Sequence, residues 1–102
     1  MRSVMVRYRV KPDRVAENEA LVRAVYEELR TTAPDGLRYA TFRLPDGVSF
    51  VHFAFEEISG DEPSRLSTVD AFRRFQENIA DRLEEGPVVS QLEDVGSFRL
   101  PA

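Results

Sequence analysis

The pattern of apolar and polar residues predicts four β-strands, and the first of them alternates with the period of two that is typical of a strand with one apolar face. Near the N-terminus the apolar members of the alternation are Val4, Val6, Tyr8 and Val10. Residues 37–44 and 48–55 predict a second and a third strand, which the tight-turn sequence of residues 45–47 (Pro-Asp-Gly) joins as a hairpin. Residues 88–98 predict a fourth strand, bent or bulged near Gly96.

Two other segments place apolar residues three or four positions apart, which is the spacing of an amphipathic helix. The first helix is predicted over about residues 14–31, with Asp13 as its N-cap. The second is predicted to start at a capping box in residues 67–70 and to end before the Gly-Pro pair of residues 86–87. Its apolar stripe consists of Val69, Phe72, Phe75, Ile79 and Leu83. Residues 56–66 predict a long polar loop, which is either a solvated connection or a lid over a pocket.

The order strand, helix, strand, strand, helix, strand predicts an α+β fold of the ferredoxin-like type. This βαββαβ arrangement has a four-stranded sheet that is rich in antiparallel pairs. We expect both helices on one face of the sheet, and we expect the first and third strands to be central and parallel. Residues 1–102 are expected to form a single domain.

The third strand is apolar on both of its faces. One face would present Val48, Phe50, His52 and Ala54, and the other Ser49, Val51, Phe53 and Phe55. The helices of so short a chain can cover one face only, and an exposed patch of valines and phenylalanines would be unusual. We therefore expect a homodimer in which two sheets pack face to face.

Composition narrows the classes of protein to which the chain can belong. Apolar residues make up 42% and charged residues 31%, which is typical of a soluble globular protein. The absence of cysteine excludes disulfides and thiolate metal sites. We expect no metal, because the chain has a single histidine and no cysteine. We expect no membrane span and a cytoplasmic location, since no apolar run suits a signal peptide or a bilayer. The net charge of −4 and the lack of an RNP1-type strand argue against a nucleic-acid partner.

A family resemblance extends over nearly the whole chain. It rests on the opening V-M-V-R-Y-R-V-K-P-D, the strand F-V-H-F-A-F-E, the segment L-S-T-V-D-A-F-R-R-F-Q-E-N-I-A-D-R-L-E-E-G-P and the ending V-V-S-Q-L-E-D-V-G-S-F-R. These segments resemble the antibiotic-biosynthesis-monooxygenase-like family of the dimeric α/β-barrel superfamily. The resemblance implies two sheets that close into a barrel across a dimer, with a pocket between sheet and helices in each subunit.

The same resemblance suggests an activity. The family includes oxygenases that act without a cofactor on aromatic polyketides or quinols, and it includes haem-degrading enzymes. The haem-degrading members carry an asparagine on the first strand, and a tryptophan and a histidine on the second helix. This chain has none of the three, so we do not expect haem degradation. Arg65 stands where many relatives have a histidine before the second helix.

His52 is the only histidine and the candidate catalytic residue. Its ordinary pKa suits proton transfer from a phenol or quinol, although a packed core or interface histidine is the alternative. Arg7 and Arg9 are candidates for binding an anionic or enolate-like ligand. Alternatively, they form ion pairs with acidic residues such as Glu93 or Asp94.

The aromatic residues add candidate ligand contacts. Tyr39 could donate a hydrogen bond into the pocket, as could Tyr8 and Tyr26, or these hydroxyls are simply satisfied within the core. Phe72 belongs either to the core or to an aromatic wall around a ligand. Two functions remain open, namely a cofactor-independent monooxygenase-like enzyme for a small aromatic or quinol-type molecule, and a non-enzymatic dimeric module that binds a small ligand.

Overall fold

The computed structural model describes residues 1–100, which form one four-stranded sheet with helices packed on one face. The strands are β1 (Arg2–Val10), β2 (Leu37–Arg43), β3 (Ser49–Glu56) and β4 (Leu83–Gln91). The helices are α1 (Val15–Thr32), α2 (Asp70–Gln76) and α3 (Ile79–Arg82). Short 3₁₀ turns at Pro12–Arg14 and Arg65–Thr68 precede α1 and α2. The α+β ferredoxin-like class predicted from the sequence is confirmed.

The strand order is β2-β3-β1-β4, and every neighbouring pair is antiparallel. The prediction that the first and third strands are parallel was therefore wrong. Helix α1 carries the chain back so that β2 runs in the same direction as β1, and the hairpin then reverses it into β3. The predicted hairpin is confirmed, and the Asp46 carboxylate closes its turn by accepting from the backbone N–H groups of Val48 and Ser49.

The two faces of the sheet have different environments. Tyr8, Val10 and Phe50 face the helices and join Val25 and Phe75 in the core. The opposite face is uncovered in the single chain, where Phe42 is 56% exposed and Val88 is 61% exposed. Aromatic contacts link Phe42 to Phe53 and Phe53 to Phe55 on that face. The homodimer that would cover it stays a prediction.

The start of α1 differs from the prediction. Asp13 lies within the preceding 3₁₀ turn, and Arg14 occupies the N-cap position without a side-chain cap. The predicted cap was wrong because the chain is already helical at Asp13, where a side chain can no longer reach the first free N–H groups. Arg14 instead donates to the carboxylate of Glu17 one turn along.

The second helix is interrupted where the sequence predicted a continuous one. Asn78 adopts the left-handed conformation (φ 55°) between α2 and α3. The buried Arg82 donates to the carbonyls of Phe75 and Glu77, so it satisfies backbone acceptors at the end of α2. The predicted capping box was also wrong, since the carboxylate of Glu28 on α1 accepts from the N–H groups at the start of α2.

Strand β4 begins and ends earlier than predicted. It starts at Leu83 directly after α3, so Gly86 lies inside the strand and does not terminate a helix. Gly86 has φ +91°, and a Cβ there would lie 2.9 Å from the carbonyl oxygen of Arg7. Glycine is needed because β4 approaches β1 this closely, and the irregular pairing lies here rather than near Gly96.

Candidate functional site

A cavity of about 380 Å³ lies between the sheet and α2–α3. Its apolar walls include Val4, Val6, Ala54, Leu66, Phe72 and Ile79. Val89 of β4 also lines it and is 63% exposed, so the cavity meets solvent along the β4 edge. A volume above about 300 Å³ with mainly apolar walls is typical of small-molecule sites.

His52 lies in the wall of this cavity on the central strand β3, and it is only 4% exposed. Its Nε2 atom is 2.7 Å from the hydroxyl oxygen of Tyr8, and its Nδ1 atom is 2.6 Å from that of Tyr39. The Nδ1 atom is also 3.1 Å from Oγ1 of Thr41. The sheet creates this arrangement, because Thr41 is directly opposite His52 and both tyrosines occupy diagonal positions on the adjacent strands.

The hydrogen bonds continue from this centre into the core. The Tyr8 oxygen accepts from Nδ2 of Asn18 at 3.0 Å, and Oδ1 of Asn18 accepts from Nε of Arg82 at 3.4 Å. The Arg82 guanidinium also lies 5.4 Å from the ring centre of Phe75, a favourable cation–π contact. On the other side, the hydroxyls of Tyr26 and Thr41 are 2.7 Å apart.

Burial keeps the polar groups around His52 uncharged near neutral pH. Loss of solvent lowers the pKa of His52 to about 4, because the imidazolium form is poorly stabilised inside the protein. Burial raises the pKa of Tyr8 to about 12, and it also raises the pKa of Tyr39. The centre therefore interacts with a ligand through neutral hydrogen-bonding groups.

A second polar group lines the far end of the same cavity. Glu56 is buried, and its Oε1 atom accepts from the backbone N–H of Arg65 at 2.7 Å. It lies four residues beyond His52 on the same face of β3, which places the two Cα atoms roughly 13 Å apart. Arg2 ties the strand to the following loop by donating to the carbonyls of Gly60 and Glu62.

The structure brings together three of the candidate residues and separates two others. His52, Tyr39 and Phe72 all line the cavity. Arg7 and Arg9 belong to the alternate set of β1, and they line a different depression on the uncovered face. Within the chain, Arg9 pairs with Glu84 and Glu85 in place of Glu93 or Asp94.

Several polar residues of the site were missed from the sequence. Asn18, Thr41, Glu56 and Arg82 were not among the candidates. A signal existed for Asn18, which precedes Val22 and Val25 by four and seven positions and so occupies the buried stripe of α1. The assignment of Glu56 to the long loop was wrong, because Glu56 is the last residue of β3, where it continues the alternation of His52 and Ala54.

Residues 1–100 contain neither a cluster of side chains suited to a metal ion nor a membrane-spanning helix. No cluster of three or more His, Asp or Glu side chains in this range could hold a metal ion. None of the helices in the same range has both the length and the apolar character to cross a bilayer.

Comparison with known proteins gives a match at the level of structure. No protein-family model matches the sequence, and no curated protein matches it. Rv0793 from Mycobacterium tuberculosis aligns over 94% of this chain and 96% of its own, with a TM-score of 0.70 and 22% identity. A Nitrosomonas europaea protein, provisionally named an antibiotic biosynthesis monooxygenase, aligns over 94% of this chain and all of its own length. Its TM-score is 0.71 at 15% identity. A Caulobacter crescentus protein with the same provisional name aligns over 93% of this chain and 90% of its own, with a TM-score of 0.67 and 22% identity.

The chain has the fold of the antibiotic biosynthesis monooxygenases. The resemblance to this group that the sequence suggested is thus confirmed in the fold. At 15–22% identity the similarity extends to the fold alone. The substrate and the activity of this chain must be argued from its own cavity.

Proposed function

We propose that the chain is a cofactor-independent monooxygenase-like enzyme that oxidises a small aromatic or quinol-type molecule in the cavity between sheet and helices. The observation that carries this proposal is the cavity of about 380 Å³, whose apolar wall ends at the hydrogen-bonded pair of His52 and Tyr39. The provisional names of structural neighbours support the same class of reaction.

The shape of the cavity favours a flat aromatic ligand. Phe72 and Phe75 line it from α2, with their ring centres 6.1 Å apart, and Tyr39 contacts Phe72 edge to face. Aromatic rings prefer such offset and edge-to-face contacts with one another. A ligand of two or three fused rings would enter along the β4 edge near Val89.

The proposed reaction proceeds through an anion of the substrate. The substrate loses a proton to the Glu56 carboxylate, and the resulting enolate or phenolate oxygen is held by the hydroxyl of Tyr39, which His52 supports from behind. The electron-rich anion reacts with O₂, and the overall change is R₂CH₂ + O₂ → R₂C=O + H₂O. The substrate supplies all four electrons. Both ring nitrogens of His52 already have hydrogen-bond partners in Tyr8 and Tyr39, so its role is to orient Tyr39 towards the anion rather than to take the proton.

Oxygen uptake with a panel of quinols and anthrones tests this function. We expect consumption of O₂ and transfer of one labelled oxygen atom from ¹⁸O₂ to the product. Tyr39→Phe should lower kcat by about 100-fold, the usual effect of losing one donor to a developing oxyanion. Ala54→Phe should abolish activity by filling the cavity, whereas Phe42→Tyr on the opposite face should leave it unchanged. Absence of uptake for the whole panel, or full activity in Ala54→Phe, would refute the proposal.

One observation favours a second function. Both ring nitrogens of His52 are already hydrogen-bonded within the protein, so the imidazole offers the cavity no free base. A module that binds a small apolar ligand without turnover would have the same wall. It would show a ligand-dependent rise in Tm in the absence of oxygen consumption.

We also propose that two copies of the chain associate through the uncovered sheet face. The exposed aromatic and aliphatic side chains on that face, including Phe42 and Val88, support this arrangement. Arg7 and Arg9 would then lie between the two sheets, where they could bind an anionic ligand. Light scattering during gel filtration at micromolar concentration should return the dimer mass for the native chain. A monomer mass would contradict the association.

A further inference from the structure

We propose that the buried pair Arg82–Asn18 fixes which nitrogen of His52 carries the proton, so that Tyr39 presents its hydroxyl proton to the cavity. Arg82 and Asn18 are then positioning residues that act on a ligand through Tyr8, His52 and Tyr39. The consequence for the ligand rests on the proposed function, whereas the arrangement of protons does not.

The direction of the hydrogen bonds is set at Arg82. A guanidinium group can donate but cannot accept, so the atom of Asn18 that faces Nε of Arg82 must be the amide oxygen. Asn18 is 0% exposed and Arg82 is 2% exposed, so bulk solvent does not compensate for the reverse orientation. The amide nitrogen of Asn18 is thereby directed at the hydroxyl of Tyr8.

Tyr8 connects Asn18 to His52. Its oxygen accepts from Asn18, and Nε2 of His52 lies 2.7 Å away as the other polar neighbour. A buried hydroxyl keeps its proton in a hydrogen bond, so Tyr8 donates to His52. Nε2 is then an acceptor and carries no proton.

The unprotonated Nε2 atom determines where the protons of His52 and Tyr39 lie. A neutral imidazole has one protonated nitrogen, which must be Nδ1 when Nε2 accepts. The Nδ1–H group donates to the oxygen of Tyr39 at 2.6 Å, with Oγ1 of Thr41 as a longer contact at 3.1 Å. The proton of Tyr39 cannot point at a nitrogen that already carries one. Since Tyr39 lines the cavity, a bound molecule can accept this proton.

The ligand at this end therefore carries an oxygen acceptor, such as a carbonyl or a phenolate. In every hydrogen bond from Arg82 to Tyr39 the donor lies on the Arg82 side and the acceptor on the Tyr39 side. Hydrogen bonds in such a chain polarise one another. The positive ends of these bonds face the cavity, so they stabilise a negative charge that develops on the ligand oxygen. An aromatic hydrocarbon without oxygen gains nothing from the arrangement.

The tautomer of His52 can be read directly, because the chain has one histidine. In ligand-free protein with ¹⁵N-labelled histidine, long-range ¹H–¹⁵N correlation near neutral pH should show a protonated Nδ1 and an unprotonated Nε2. In Asn18→Asp, the carboxylate accepts from both Arg82 and Tyr8, so the proton should move to Nε2. Glu28→Gln, which changes the cap of α2 outside this network, should retain the native tautomer.

These outcomes separate the inference from the proposed function. A protonated Nε2 in the native chain would overturn the whole arrangement, whether or not Asn18→Asp folds. Retention of the native tautomer in a folded Asn18→Asp would overturn the positioning role. For the ligand, Tyr39→Phe should weaken binding of 1,4-naphthoquinone about tenfold and leave binding of naphthalene unchanged. Equal losses of affinity for the two compounds would refute the preference for an oxygen acceptor. If neither compound binds, the proposed function is refuted, but the assignment of the His52 tautomer is not affected.

Discussion

Acidification of the protein tests the burial of its single histidine. In the folded chain burial holds the pKa of His52 at about 4, whereas its ordinary value is 6.5. Between these values the unfolded chain binds a proton that the folded chain does not. The free energy of unfolding therefore falls as the pH falls from 6.5 towards 4, and above 6.5 this contribution is constant.

The size of the effect follows from the difference between the two pKa values. Each pKa unit corresponds to about 1.4 kcal/mol, so the full loss below the folded value is about 3 kcal/mol. Roughly 2 kcal/mol of this is lost by about pH 5, where most carboxylates are still ionised. This is a large share of the total stability of a small domain, which is about 5–15 kcal/mol.

Urea unfolding followed by far-UV circular dichroism measures this loss at about pH 7.5 and about pH 5. His52→Gln is the matched control, because glutamine keeps a donor and an acceptor but does not titrate. The native chain should lose about 2 kcal/mol more than the variant between the two pH values. Equal losses would show that His52 is not held neutral by burial, and the reasoning about its role in the site would fail.

Three further predictions concern the backbone and its caps. Gly86→Ala should destabilise the fold by more than about 2 kcal/mol, because it combines a left-handed φ with a clash against Arg7. The control is Gly60→Ala, which has φ +60° but open space around it and should therefore lose less stability. Equal losses of unfolding free energy in urea would argue against the close approach of β4 to β1. Asn78→Ala should cost about 1 kcal/mol through the left-handed conformation, while Asn78→Gly should stay within a few tenths of the native value. Glu28→Ala should cost about 0.5–2 kcal/mol by uncapping α2, and a loss no greater than that of the neighbouring Glu27→Ala would contradict the capping role.

Local chemistry explains which parts of the fold the sequence predicts. The hairpin and α1 were found because turn residues and helical spacing are encoded within a few positions. The break at Asn78 was missed because the apolar stripe keeps its helical spacing across it. The break depends on the buried Arg82, whose donors satisfy the carbonyls of Phe75 and Glu77.

The candidate site was predicted only in part for a similar reason. Alternation along a strand shows that His52 shares a face with Phe50 and Ala54, but it does not show which face the helices cover. Arg7 and Arg9 were therefore grouped with His52 although they lie on the other face. The bonds that connect His52 to Tyr39, Asn18 and Arg82 join separate elements, and their pairing becomes visible only when the sheet order is known.

The central claim is that an aromatic molecule with an oxygen acceptor binds beside His52 and Tyr39. Titration with 1,4-naphthoquinone, followed through the ¹⁵N signals of the single histidine, tests it most directly. We expect the chemical shifts of these signals to change saturably with ligand concentration in the native chain. The change should be lost in Ala54→Phe and retained in Phe42→Tyr. Histidine signals that stay unchanged up to the solubility limit of the ligand, or that change equally in Ala54→Phe, would contradict it.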